Sequence, residues 1–225
     1  MHTRTLSTVI FAFALLTLTS QAALHITGIF DGPLSGGTPK GIELYASDNI
    51  ADLSAYAVGT ANNGGGTDGA EFTLSGSATA GDYIYVVANG NEDEFTSFLG
   101  GSATFASSAL GINGDDAIEL FNITGGSPSV IDTFGVIDVD GNGENWEYMD
   151  GWAYRNTVTA GGAFTVSDWT FSGLNAWDGA TSNASSDSVM PIGTFTTTPV
   201  PEPSTYALLV GLVGLSYTLN RRRRA

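Results

Sequence analysis

The sequence predicts an all-β fold, an antiparallel β-sandwich, and three observations carry that prediction. Runs of five to eight residues alternate apolar with polar side chains, as a strand with one face against a core requires. Gly, Asn, Asp and Ser turns separate the runs. Only 13% of the residues are charged while 30 are glycine, a balance suited to short strands and tight turns. At 225 residues and 42% hydrophobic content the chain can bury a core without disulfides, and it holds no cysteine to make one.

The runs follow in order. LHITGIF (24–30) sets Leu24 and Ile26 against His25 and Thr27, and GIELYA (41–46) sets Ile42 and Leu44 against Glu43. YAVGT (56–60) and AEFTLS (70–75) are shorter, and DYIYVVAN (82–89) is rich in β-branched and aromatic residues. AIELFN (117–122) repeats the second run as IELF against IELY. A duplication or two strands in like environments would give that echo; the flanking residues do not align. VIDTFGV (130–136) and WTFSG (169–173) complete the set. One stretch, NEDEFTSFLG (91–100), predicts a turn or two of helix with Phe95, Phe98 and Leu99 inward. Asp52-Leu53-Ser54 places an apolar plug between two residues whose side chains cap turns. Gly114-Asp115-Asp116 suits a tight turn with Asn113 or Gly114 at positive φ.

The net charge is −16, and its distribution is uneven. Of seven basic residues, Arg4 and Arg221 to Arg224 lie at the ends, so only Lys40 and Arg155 stand among the 23 acids. Such a body repels phosphate backbones, which excludes nucleic acid as a partner and favours cations or basic surfaces.

Both ends read as processing segments. MHTRT supplies a basic n-region, LSTVIFAFALLTLT an apolar h-region, and Ser20 and Ala22 the small residues that a signal peptidase reads. A signal peptide at 1–22 leaves Ala23 first in an exported chain. The other end is VPEPSTYALLVGLVGLSYTLNRRRRA (200–225). Its uncharged run at 206–219 would form a helix about 21 Å long, short of a hydrocarbon core of about 30 Å. Ser204, Thr205 and Asn220 extend it into a marginal span at 204–220, and arginine side chains snorkel. Arg221, Arg222, Arg223 and Arg224 would hold that end on the cytoplasmic face.

Pro201-Glu202-Pro203, an apolar run and a terminal arginine cluster, in that order, resemble the PEP-CTERM sorting signal. The resemblance implies a Gram-negative bacterium, and as partner an exosortase that processes the chain near the Pro-Glu-Pro motif. It further implies an inner-membrane intermediate with the C-terminal helix transiently in the membrane, then delivery to the cell surface or extracellular matrix. TFTTTP (194–199) would serve as an exposed linker between body and signal.

The body at 23–193 carries a second resemblance. KGIELYASDNIADLSAYAV, YIYVVAN, GINGDDAIELFN and VIDTFGV, in that order, are similar to the lamin-tail domain of bacterial secreted proteins. DVDGNGENWEYMDGWAYR and SDWTFSGLNAWDGATSN resemble the extension found in bacterial members. The family implies an immunoglobulin-like β-sandwich. Its members often accompany extracellular nuclease or phosphatase domains, but none is joined to it in this sequence, so those activities do not carry over.

Candidate chemistry is sparse. In DVDGNGENWE (138–147), Asp138, Asp140 and Asn142 are spaced like the opening of an EF-hand loop, with Glu144 a further ligand. Met149 then occupies the twelfth position, which should hold a bidentate carboxylate, so a weak calcium site and an ordinary acidic hairpin loop both fit. GGGTDG (64–69) matches a dinucleotide fingerprint in spacing, but a strand follows it where a helix is required, so it reads as a turn. His25 is the single histidine after the signal peptide, and no G-x-S-x-G elbow occurs, which argues against catalytic triads and zinc. In WEYMDGWAY, alternation places Trp146, Tyr148 and Trp152 on one side. Trp152 and Trp177 are candidate contact aromatics for a glycan or protein ligand, with core packing the alternative. The expected function is therefore a non-catalytic surface or matrix protein for adhesion or envelope structure. The alternative is a binding module for calcium, a glycan or a protein, acting beside secreted hydrolases.

Overall fold

Strand β1 (Leu24–Leu34) pairs antiparallel with β2 (Thr38–Ala46) and organises the larger of two sheets. The structure is a computed structural model that describes residues 22–157 and 162–197. Ser20 of the expected signal peptide, Pro201, Glu202, Pro203 and Arg221 to Arg224 of the expected sorting signal, and the expected membrane helix at 204–220 lie outside the described residues. Among the described residues no helix is long and apolar enough to cross a membrane.

Along the chain follow β3 (Tyr56–Ala61), β4 (Phe72–Thr73), β5 (Tyr83–Ala88), helix α1 (Glu92–Leu99) and β6 (Phe105–Ser107). β7 (Ala117–Asn122), β8 (Ser129–Phe134), β9 (Gly151–Arg155) and β10 (Trp169–Phe171) complete the two sheets. One sheet has six strands in the order β10-β9-β1-β2-β5-β6, the other four in the order β4-β3-β7-β8. Leu24, Ile26, Ile42, Leu44, Ile84 and Val86 from the first pack in one cluster with Val58, Ile118, Leu120 and Phe134 from the second. The fold is therefore an all-β sandwich with a single added helix.

Three details correct the sequence reading. The pairing is antiparallel except at one edge, where β6 runs parallel to β5. The crossover through α1 brings the chain back to the same end before β6 begins, and a parallel partner needs such a connection. β9 and β6 were not expected, and the run at 70–75 shortens to the two-residue edge strand β4. Finally, alternation does not carry through WEYMDGWAY: Trp146 and Tyr148 face the inter-sheet core while Trp152 joins the opposite face. Asp150, at φ 44°, turns the chain just before β9 and resets the alternation.

Other expectations match. α1 buries Phe95, Phe98 and Leu99, carries three acids in its first turn and ends on Gly100 at φ 79°. Leu53 is buried behind Asp52, whose Oδ1 accepts from Ser54 N at 2.9 Å. Gly114 takes the positive φ of its turn. IELY and IELF occupy interior strands β2 and β7, with Ile42, Leu44, Ile118 and Leu120 in the shared core and Glu43 and Glu119 both buried. Like environments account for the echo. In β1 the register slips between Ile26 and Gly28, so Ile29 still faces the core that Leu24 and Ile26 fill, while Phe30 faces out.

A buried ion pair joins the sheets. Arg155 on β9 donates to Asp132 on β8 through Nη1 (2.5 Å) and Nη2 (2.9 Å), and its Nη1 also reaches Ile26 O at 2.9 Å. Asp132 Oδ2 accepts in addition from Ile26 N at 2.8 Å. The Arg155 guanidinium lies 4.9 Å from the Trp169 ring centroid.

Candidate functional site

The outer face of the six-stranded sheet is aromatic, and the chain covers it twice. Phe30, Tyr45 and Val87 meet α1 through Phe95, Phe98 and Leu99, and they meet the C-terminal segment through Trp177, Met190 and Phe195. Gly28 gives the segment room, because a methyl group there would lie 2.7 Å from Met190 Cε. Polar contacts fix the end of this strap. Glu43 Oε2 accepts from Gly193 N at 2.6 Å, while Oε1 accepts from Thr27 Oγ1 at 2.7 Å and Tyr154 Oη at 2.9 Å. Tyr154 Oη in turn accepts from Thr194 N at 3.1 Å and Phe195 N at 2.8 Å, and Tyr83 Oη donates to Phe195 O at 2.6 Å. Burial pushes the Glu43 carboxyl above its ordinary range, and its three donors only partly oppose that rise.

This geometry corrects the boundary at 193. Thr194 and Phe195, expected in a free linker, belong to the body, and Phe195 is only 4% exposed. No signal in the sequence announces the strap, because its partners Glu43, Tyr83 and Tyr154 lie on strands far away along the chain.

The opposite end of the body is anchored as closely. Ser47 N donates to Ala23 O at 2.9 Å, and Ser47 Oγ reaches Ala22 O and Ala23 O, each at 3.3 Å. Leu24, the first residue of β1, is fully buried opposite Ala46. His25 Nε2 lies 3.3 Å from Ser47 Oγ, and burial holds its imidazole below the usual pKa.

The other sequence candidates resolve into packing and turn chemistry. Trp152 and Trp177 are buried at 6% and 0% exposure, and both indole N–H groups donate to Ser188 O at 2.9 Å. They hold the strap and are not on a contact surface, so of the two readings the core one stands. In the acidic loop, Asp140 Oδ1 accepts from Asn142 N at 3.0 Å and Glu147 Oε2 from Gly143 N at 2.7 Å. Among the described residues no three His, Asp or Glu side chains come together as a metal shell. Gly64 packs against Val139 and Asp140 of the acidic loop, and Asn63 N donates at 2.9 Å to Asp116 Oδ1 in the Gly114-Asp115-Asp116 turn.

No protein-family model, curated protein or solved structure matches the chain. The geometry singles out the two ends of the described body, Ala22 and Ala23 held by Ser47 and Gly193 to Phe195 held by Glu43, Tyr83 and Tyr154.

Proposed function

We propose that the chain is a non-catalytic exported protein, an immunoglobulin-like module of lamin-tail type that serves adhesion or envelope structure. A signal peptidase and an exosortase remove its ends, and the body passes from the inner membrane to the cell surface or extracellular matrix of a Gram-negative bacterium. One observation supports this reading above the rest. Strand β1 begins at Leu24, one residue after Ala23, and the last anchored residue is Phe195, six residues short of Pro201, so along the sequence the sandwich occupies the stretch between the two expected processing segments. Its acidic composition fits an exported body that avoids nucleic acid. Mass spectrometry of the product exported by a host with an exosortase tests it. The expected species begins at Ala23 and contains no peptide beyond Pro203. Recovery of the intact arginine terminus from a soluble cytosolic pool would overturn the proposal.

A further inference from the structure

We propose that Glu119 holds a monovalent alkali cation on the outer face of the four-stranded sheet, with Gly69 O and the Thr133 hydroxyl as further protein ligands. Glu119 stands between Ile118 and Leu120 on β7, and both of those face the inter-sheet core, so its side chain takes the opposite face. It is 2% exposed there, and its Oε2 meets no donor among the described residues. The equivalent glutamate on β2 shows what burial demands, since Glu43 receives three hydrogen bonds. A buried carboxylate without such donors needs a counter-charge. Among the described residues the basic side chains are already committed. Lys40 is taken by Asp31 and Ile112 O, and Arg155 by Asp132 and Ile26 O. The charge that balances Glu119 therefore comes from solution.

The neighbouring oxygens suit a small cation. Directly opposite Glu119 stand Gly59 on β3 and Thr133 on β8. Cross-strand partners share a face with Cβ atoms about 4.5–5.5 Å apart, which brings the Thr133 hydroxyl within reach of the carboxylate. Over Gly59 lies Gly69 O, so near that a Cβ at residue 59 would stand 2.0 Å from it. Glycine at that position admits the carbonyl to the face Glu119 occupies. Gly69 ends the glycine-rich turn, which is tied down by Gly66 N on Ile137 O at 2.9 Å and by Glu71 N on Val58 O at 3.0 Å. One carboxylate with neutral oxygens selects a single positive charge. A calcium ion would leave excess charge in a buried place, and it asks for about six to eight oxygens with several carboxylates among them. No three acidic side chains converge among the described residues.

The test melts the full chain, purified in detergent, in sodium, potassium and N-methylglucamine chloride at equal ionic strength, so that general screening is constant. The organic cation is too bulky to reach Glu119. Sodium or potassium at about ten times its dissociation constant should raise the melting temperature by about 3–6 °C over the organic cation, and should slow exchange of the Gly66 amide about tenfold. Glu119→Gln keeps the shape, removes the charge and should abolish both differences. Thr133→Val keeps the β-branch and should reduce them, and it stands in if the first variant does not fold. Equal melting temperatures of the parent in all three chlorides would overturn the proposal. So would an ion-specific rise that survives undiminished in Glu119→Gln, or in Thr133→Val where only that variant folds.

Discussion

Glu43 and Glu119 stand at equivalent places in two similar strands, yet the fold satisfies them differently. Glu43 receives three hydrogen bonds and no cation, while Glu119 Oε2 has no partner. Burial raises the Glu43 pKa, and burial is also the first cause of the raised values at Asp31, Asp115, Asp116 and Asp150. A carboxyl raised in the folded state binds more protons folded than unfolded. Its stabilisation is complete below the unfolded value, about 4.5 for Glu43, and is lost as pH climbs through the folded value. His25 works the other way, since its lowered pKa removes stability as pH falls below 6.5. The raised carboxyls should lift the melting temperature of the body as pH falls from about 7.5 to about 5, with His25 acting against them, and Glu43→Gln should shrink the carboxyl contribution. Calorimetry at the two values checks both; a melting temperature that falls on acidification, or an unchanged slope in the variant, would refute the assignment.

Among the elements, the strap is the one whose hold depends on few contacts. Tyr154→Phe removes the acceptor for Thr194 N and Phe195 N and one donor to Glu43. Unpairing buried polar groups costs about 1–3 kcal/mol each. Hydrogen exchange at Thr194 and Phe195 should speed up by at least about tenfold while amides of β3 and β7 stay protected. Unchanged protection at those two residues would mean that apolar packing alone seats the strap. The same element marks the limit of what the sequence could reveal. β2, β7 and α1 were legible because their side chains alternate or recur at the period of the element they form. β9 was hidden by a different cause: GWAYR lies within an aromatic stretch whose alternation is broken at Asp150. β6 and the strap have weak local patterns and take their place from distant partners, Tyr85 and Val87 for one and Glu43 for the other. In the acidic loop the spacing of Asp138, Asp140 and Asn142 is legible, whereas the bond from Asn142 N to Asp140 Oδ1 and the one from Gly143 N to Glu147 Oε2 show only in three dimensions.

At the scale of the whole molecule, charge is the term that packing leaves unbalanced. Lys40 Nζ bonds Asp31 at 2.9 Å and Ile112 O at 2.6 Å, and Arg155 is buried on Asp132. Among the described residues no basic side chain is left over to face the remaining acids. Edge design does not depend on cations either: β4, β6 and β10 are two or three residues long, and β8 carries a register break opposite Leu120 and Phe121. The surface is thus a field of like charges that repel one another and cost stability at low ionic strength. Salt shortens the Debye length from about 30 Å at 0.01 M to about 3 Å at 1 M, which screens exposed charges and leaves the buried Arg155–Asp132 pair almost untouched. The melting temperature of the body at neutral pH should therefore climb with sodium chloride over that range, and binding to a polycationic surface should weaken over the same range. A protein held by surface ion pairs would lose stability over that titration. A falling melting temperature would show that the exposed acids make favourable contacts, and the like-charge account of this surface would then be wrong.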